Sequence, residues 1–349
     1  MADTAKTPGA DSLTDVPGFL VGHARVPGER ALSGTTVVLA PAPGAVAGVD
    51  VRGGGPGTRE TDALDPRNVV ERIEAVVLTG GSAYGLDAAG GVMAWLEERG
   101  RGVRVGPEPH QVVPVVPAAC VFDLGRGGDW HARPDAATGR AAAEAAGPDV
   151  AQGCVGAGTG AVAGGLKGGV GTASATLPSG ATVGALVVVN CVGSVFDPAT
   201  GALYGAPGRV AYPEPAVHEA AMERLGRARA TSGLPPLNTT LAVVATDAPL
   251  TGPQAQKLAG TSHDGLARAI RPVHLMHDGD TVFALATGTS TSTGTGTGTG
   301  APLSPVDLNA VLAAGADVVA RAVTKAVLAA EGVEGPGGTF PSYRDLYGS

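Results

Sequence analysis

The chain has 349 residues, 44% of them hydrophobic but only 3% aromatic, with 56 glycines and a net charge of -8 at pH 7. That length allows a sizeable core, which the composition requires to be built from Val, Ala, Leu and closely packed backbone. An acidic chain without a Lys/Arg cluster is a poor partner for nucleic acid or an anionic membrane surface, which leaves small or neutral partners.

The polar start, Met1 to Asp15, is expected to be disordered. It has no apolar signal region and no later apolar run reaches membrane-span length, so a cytoplasmic location is expected. Gly18–Ala24 and Thr35–Ala40 read as strands, followed by the glycine loop Arg52–Gly57. Ala75–Thr79 reads as a short buried strand. It runs through the turn Gly80–Gly85 into a helix marked by Leu86, Ala89, Val92, Met93 and Leu96, on which small residues at 88–91 permit close approach of another element.

Val112–Phe122 is strand-like but broken by Pro114 and Pro117, and Asp135–Ala146 is an alanine-rich helix, with the loop Gly125–His131 between them. A hairpin is expected at Leu177–Gly180, where Pro and Gly supply turn dihedrals, and its returning strand Ala181–Val189 delivers Asn190 at its end. A helix over Glu214–Ala230 leads to Gly233–Pro236, an exposed linker by its two prolines. Beyond it, within the stretch Leu237–Asp247, comes a buried strand that begins at the hydroxyl residue Thr239, then a helix over Gly252–Ile270 and a strand over Thr281–Ala286. The low-complexity segment Gly288–Gly300 reads as a mobile loop, and the last helix, capped by Ser304, ends before Gly332.

Familiar chemistry can be tested against this layout. Gly156-Ala157-Gly158-Thr159-Gly160 approaches a dinucleotide loop but lacks an acidic ribose partner, and Lys167 is followed by glycine, so no nucleotide cofactor is expected. Gly80-Gly81-Ser82-Ala83-Tyr84 misses the last glycine of a nucleophile elbow. His274-x-x-His277-Asp278-x-Asp280 fits no standard zinc spacing, and a turn before a strand explains it, so no metal is expected. Cys120, Cys154 and Cys191 support neither a disulfide framework nor a thiolate site. One feature remains: Asn238-Thr239 stands between the exposed linker and a buried strand. If that bond opens, Thr239 gains a free amine beside its own hydroxyl, a nucleophile and a base in one residue.

Asp15–Gly18 with Val21–Ala24, Leu78–Leu86, Gly156–Gly160, Asn190, Asn238–Thr240, Ala245–Ala248 and Asp278–Ala284 form an ordered set along the chain. By these residues the chain resembles, over nearly its whole length, the P1 family of self-processing peptidases, which includes the L-aminopeptidase/D-esterase enzymes and the 6-aminohexanoate (nylon) oligomer hydrolases. It implies an αββα sandwich of the N-terminal-nucleophile type. One composite domain would be self-cleaved at Asn238/Thr239 into fragments 1–238 and 239–349. The oligomer hydrolase branch is the closer likeness. By it, Thr239 is the nucleophile, Lys167, Asn190, Asp278 and Asp280 are catalytic residues, and Tyr84 binds substrate.

From residue type, the Asn190 amide would donate to the oxyanion. Asp278 and Asp280 would hold the Thr239 amine and hydroxyl, and Lys167 would balance one carboxylate. The implied activity is amide hydrolysis of linear amine-ended substrates, 6-aminohexanoate oligomers foremost and short peptides as the alternative, in a dimer or tetramer without cofactor. Three other readings stay open: an acyltransferase like the related ornithine acetyltransferases, a metal-dependent hydrolase on His274 and Asp278, and a glycine-rich binding or assembly protein in which Asn238-Thr239 is only a strand start.

Overall fold

A computed structural model of the chain describes residues 10–206, 208, 212–232, 237–290 and 302–348. The strand Leu241–Thr246 sends its side chains alternately into two different cores, which is why its sequence is apolar throughout. Leu241, Val243 and Ala245 pack with Val38, Val76 and Leu78 between two sheets. Ala242 and Val244 pack instead with Leu258, Leu266, Val318 and Val323 of the helices Gly252–Ala269 and Pro305–Ala329.

The first sheet has five strands in the order 20–25, 34–39, 75–79, 118–120, 58–59, and its outer face carries the helices Ala88–Glu97 and Ala136–Glu144. The second has the order 169–176, 182–189, 241–246, 281–286, 46–51. Its 241–246 and 281–286 strands run parallel and its other neighbours antiparallel. Helix, sheet, sheet, helix is the αββα order expected. Burial of each Val or Leu side chain between these layers contributes about 1.5–3 kcal/mol against leaving it in water.

Close backbone approach does the rest in a core short of aromatics. A Cβ at Gly91 would lie 1.7 Å from the Ala136 carbonyl oxygen, so the helix Ala88–Glu97 crosses its neighbour only because that residue is glycine. Most expected strands and helices are found within a few residues of their expected bounds; the strand expected from Thr239 begins at Leu241, and several short strands, Thr58–Arg59 among them, were not assigned from sequence. Val46–Val51, not assigned from sequence, forms the edge of the second sheet. Val112–Phe122 yields only Val112–Val113 and Ala118–Cys120, because prolines 114 and 117 cannot donate to a ladder. The C-terminal segment forms a hairpin, Val333–Gly335 with Gly338–Phe340, and a short helix, Tyr343–Tyr347.

The linker 233–236 and nearly all of the 288–300 loop lie outside the described residues, as do residues 1–9 of the polar start. No helix among the described residues is long and apolar enough to cross a membrane. The second sheet draws strands from both sides of Asn238-Thr239: three precede that bond and two follow it.

Candidate active site

Register brings the residues around Thr239 together. Val188 lies opposite Leu241, which carries Asn190 to the side of Thr239, and Leu241 lies beside Thr281, which carries Asp280 to the side of Thr240. The Thr239 N–H accordingly donates to the Asn190 carbonyl oxygen at 2.6 Å, and the Thr240 N–H donates to Asp280 Oδ1 at 2.8 Å. The Thr239 hydroxyl donates to the carbonyl oxygen of Asn238 at 2.6 Å. The side chain that would attack is thus held on the carbonyl group it would attack. Gly279 closes in from behind, since a Cβ there would lie 2.6 Å from Thr239 Oγ1.

Asn238 is fixed at both ends. Its N–H donates to the His277 carbonyl at 3.1 Å, and its Oδ1 accepts from Arg126 Nη2 at 2.6 Å. In front of Asn238 and Thr239 lies a cleft of about 180 Å³ whose walls include Gly55, Ser82, Ala83, Phe122, Met276 and His277. Ser82 stands in the left-handed region, φ 51°, at the turn where the strand Ala75–Thr79 gives way to helix.

The other sequence-predicted residues fall in four positions. Asn190 is fully buried beside the junction; its Oδ1 accepts from Val162 N–H at 2.9 Å and from Arg126, while Nδ2 donates to the Phe122 carbonyl at a long 3.4 Å. Asp278 and Asp280 lie together beside the start of the strand Leu241–Thr246, but their oxygens are taken by its surroundings rather than by Thr239. Asp278 accepts from Val192 and Leu275 N–H, both at 3.2 Å, and Asp280 Oδ2 accepts from His274 N–H at 3.1 Å and Nδ1 at 2.8 Å. Burial, with the neighbouring Asp280 charge, pushes the Asp278 carboxyl above its usual range. Among the described residues no group of three His, Cys, Asp or Glu is arranged to hold a metal ion.

Lys167 is not paired with either of these carboxylates. Its Nζ donates to the carbonyl oxygens of Gly158, Ala161 and Gly168 at 3.0, 2.9 and 2.9 Å, which uses all three of its protons. Burial pulls this ammonium down to about 8. Tyr84 is 59% exposed with the Arg133 guanidinium 3.8 Å above its ring, and the cleft wall at this turn is formed by Ser82 and Ala83.

Two residues of the site escaped the sequence reading. Arg126, 4% exposed in the glycine loop after the strand Ala118–Cys120, donates through Nη1 to Gly160 O at 2.7 Å and to Asn190 Oδ1, and through Nη2 to Asn238. Asp123, three residues earlier, accepts the Gly81 N–H at 2.7 Å; burial raises its carboxyl to about 6, and burial lowers Arg126 to about 10. The only signal was a lone arginine among glycines. The stretch 156–168 that approached a phosphate loop turns its carbonyls, not its N–H groups, toward Lys167 and Arg126, so it cradles cations.

The sequence pattern of peptidase family S58 matches residues 11–340. An uncharacterized aminopeptidase of Mycobacterium tuberculosis is 51% identical over 348 residues, 97% of this chain and 98% of its own. A 6-aminohexanoate-oligomer endohydrolase of Kocuria sp. is 33% identical over 288 residues, 78% of this chain and 74% of its own. The structure of a beta-aminopeptidase from Burkholderia sp. superposes with a TM-score of 0.73 at 26% identity, over 99% of this chain and 95% of that one. The L-aminopeptidase D-Ala-esterase/amidase of Ochrobactrum anthropi, a variant of the Ntn hydrolase fold, superposes with a TM-score of 0.72 at 22% identity, again over 99% and 95%.

Proposed function

We propose that this chain, which belongs to peptidase family S58 and is an amide hydrolase, opens its own Asn238–Thr239 bond and then works as an N-terminal-threonine hydrolase on short amine-ended amides. The observation that carries the reading is the Thr239 hydroxyl resting on the Asn238 carbonyl. Attack by Oγ1 on that carbonyl carbon moves the acyl group from nitrogen to oxygen and frees the Thr239 amine. Water then cleaves the ester, leaving fragments 1–238 and 239–349 joined through the shared sheet.

In each later turnover the amine, with an ordinary pKa of about 8, takes the hydroxyl proton as Oγ1 attacks the substrate, and passes it to the departing amine. Water deacylates the threonine. The second Nδ2 proton of Asn190 donates to the oxyanion, an interaction typically worth about 3–4 kcal/mol in the transition state. Asp280 fixes the backbone beside the nucleophile, Asp278 fixes the Val192 and Leu275 backbone, and Lys167 fixes the 158–168 loop. Tyr84 forms a rim contact for the departing part of longer substrates.

The preference for amine-ended substrates rests on Asn238 N–H and the His277 carbonyl. A substrate acyl residue in the place of Asn238 would offer its free amine to that same carbonyl. The aminopeptidase names of the 51% identical relative and of the Burkholderia structure support this reading. The second reading, hydrolysis of 6-aminohexanoate oligomers, is favoured by the 33% identical oligomer endohydrolase. Denaturing mass spectrometry, with amine release from short peptides and from aminohexanoate oligomers, tests both. A single intact chain whose hydrolysis survives Thr239→Ala would sink the proposal. Adding an amine acceptor and analysing products separates hydrolysis from acyl transfer, and light scattering reads the dimer or tetramer implied by the resemblance.

A further inference from the structure

A chain that cuts itself is its own first substrate, and the residue before the cut occupies the acyl side of the site. In this structure that residue is Asn238, and its side chain is gripped by Arg126 Nη2 at 2.6 Å. We propose that Arg126 is the specificity-determining group of the acyl subsite, selecting substrates whose acyl residue places a carbonyl or carboxylate oxygen where Asn238 places Oδ1. The inference rests on the function proposed above and extends it to a substrate class: amine-ended amides of asparagine and aspartate.

Two observations and one consequence of the proposed reaction carry it. Arg126 is 4% exposed, so a donor left without an acceptor there has little access to water in compensation. It is also anchored from behind, because Nη1 is committed to Gly160 O and Asn190 Oδ1 and cannot follow a shorter side chain. Finally, Asn238 itself must withdraw after the cut for a substrate carbonyl to reach Thr239 Oγ1. Nη2 then faces whatever acyl residue enters, and one with only methyl or methylene groups at that place leaves the charged donor unpaired. The contact through Asn190 ties the same guanidinium to the proposed oxyanion donor, so an acyl residue that satisfies Arg126 also keeps that amide in place.

The test uses the self-cleaved wild-type protein with p-nitroanilides of Asn, Asp, Ala and Leu whose α-amines are unblocked, and aminohexanoate oligomers beside them. The Asn and Asp compounds are expected to exceed Ala and Leu in kcat/KM by about tenfold or more, the usual weight of a hydrogen bond to a buried charge. Arg126→Met, purified after self-cleavage, is expected to bring the Asn-to-Leu ratio near one, a change that a merely structural loss would not produce. Should that variant fail to fold or cleave, the wild-type panel still decides, together with the rate of self-cleavage in Asn238→Leu, expected to fall by a similar factor. Wild-type enzyme that is cut at 238/239, depends on Thr239 and still prefers Leu, Ala or aminohexanoate overturns this inference and leaves the proposed function standing. An uncut, Thr239-independent enzyme removes both.

Discussion

The backbone N–H of Thr239 donates to the carbonyl oxygen of Asn190 at 2.6 Å, so the residue after one strand holds the nitrogen at the start of the next. On the proposed reading this nitrogen becomes the catalytic amine, and the same carbonyl then accepts from it without any rearrangement of the sheet. Thr239→Ala is therefore expected to leave the chain intact and to lower turnover on the order of a thousandfold or more. Mass spectrometry of the purified variant, followed by an amine-release assay, checks both halves. Thr239→Ser should keep cleavage at the same bond.

Asn190→Ala removes the proposed oxyanion donor and an acceptor for Val162 N–H and Arg126. The kcat of the self-cleaved protein is expected to fall about a hundredfold or more, with a smaller change in KM, because the interaction strengthens only as charge develops. Equal kcat in variant and wild type would remove Asn190 from the mechanism.

Gly279→Ala probes the wall behind Thr239, the proposed nucleophile. The added Cβ would meet Thr239 Oγ1 at 2.6 Å and Gly55 O at 2.9 Å. The expected outcome is slow or absent self-cleavage, measured as the fraction of intact chain over time after purification.

Asp280→Ala strips the acceptor from Thr240 N–H and from both donors of His274, whose backbone lies at φ 59° in the left-handed region. Leaving such donors buried and unpaired should cost about 2–3 kcal/mol, read by chemical denaturation. Asp280→Asn keeps an acceptor oxygen for Thr240 and should cost less.

The pH dependence of stability reports on Asp123. Its folded value of about 6 lies above the ordinary 3.8, so between those values the folded chain binds the proton more tightly than the unfolded one. Its contribution is complete below about pH 4 and is lost as pH rises through about 6, a change of about 3 kcal/mol. Asp123→Asn, which keeps an oxygen for the Gly81 N–H, should flatten that part of the profile. An unchanged profile would place the titration elsewhere.

The residues that follow the proposed cut show how far a sequence can be read. Leu241 to Ala245 is apolar at every position, which is the mark of a strand covered on both faces, and the hairpin at Leu177–Gly180 and the cap at Ser304 were legible because their chemistry is local. Those periods pointed to one composite α/β domain, and the αββα order of its layers was implied by the family resemblance. On the proposed reading, neighbouring residues also favour Thr239 over Thr240, since only the residue after the cut would own the new amine. The partners of the site are a different matter. Asp278 and Asp280 are two residues apart in sequence, yet which donors reach them depends on the register of three strands and on the turn at His274. Lys167 faces carbonyls rather than a carboxylate because the loop 158–168 folds around it. Arg126 stands 112 residues from Asn238 and meets it only when the two sheets close on each other. Composition and period act over a few residues and determine layers, whereas a buried charge finds its partners across the whole chain, and only the packed fold decides which they are.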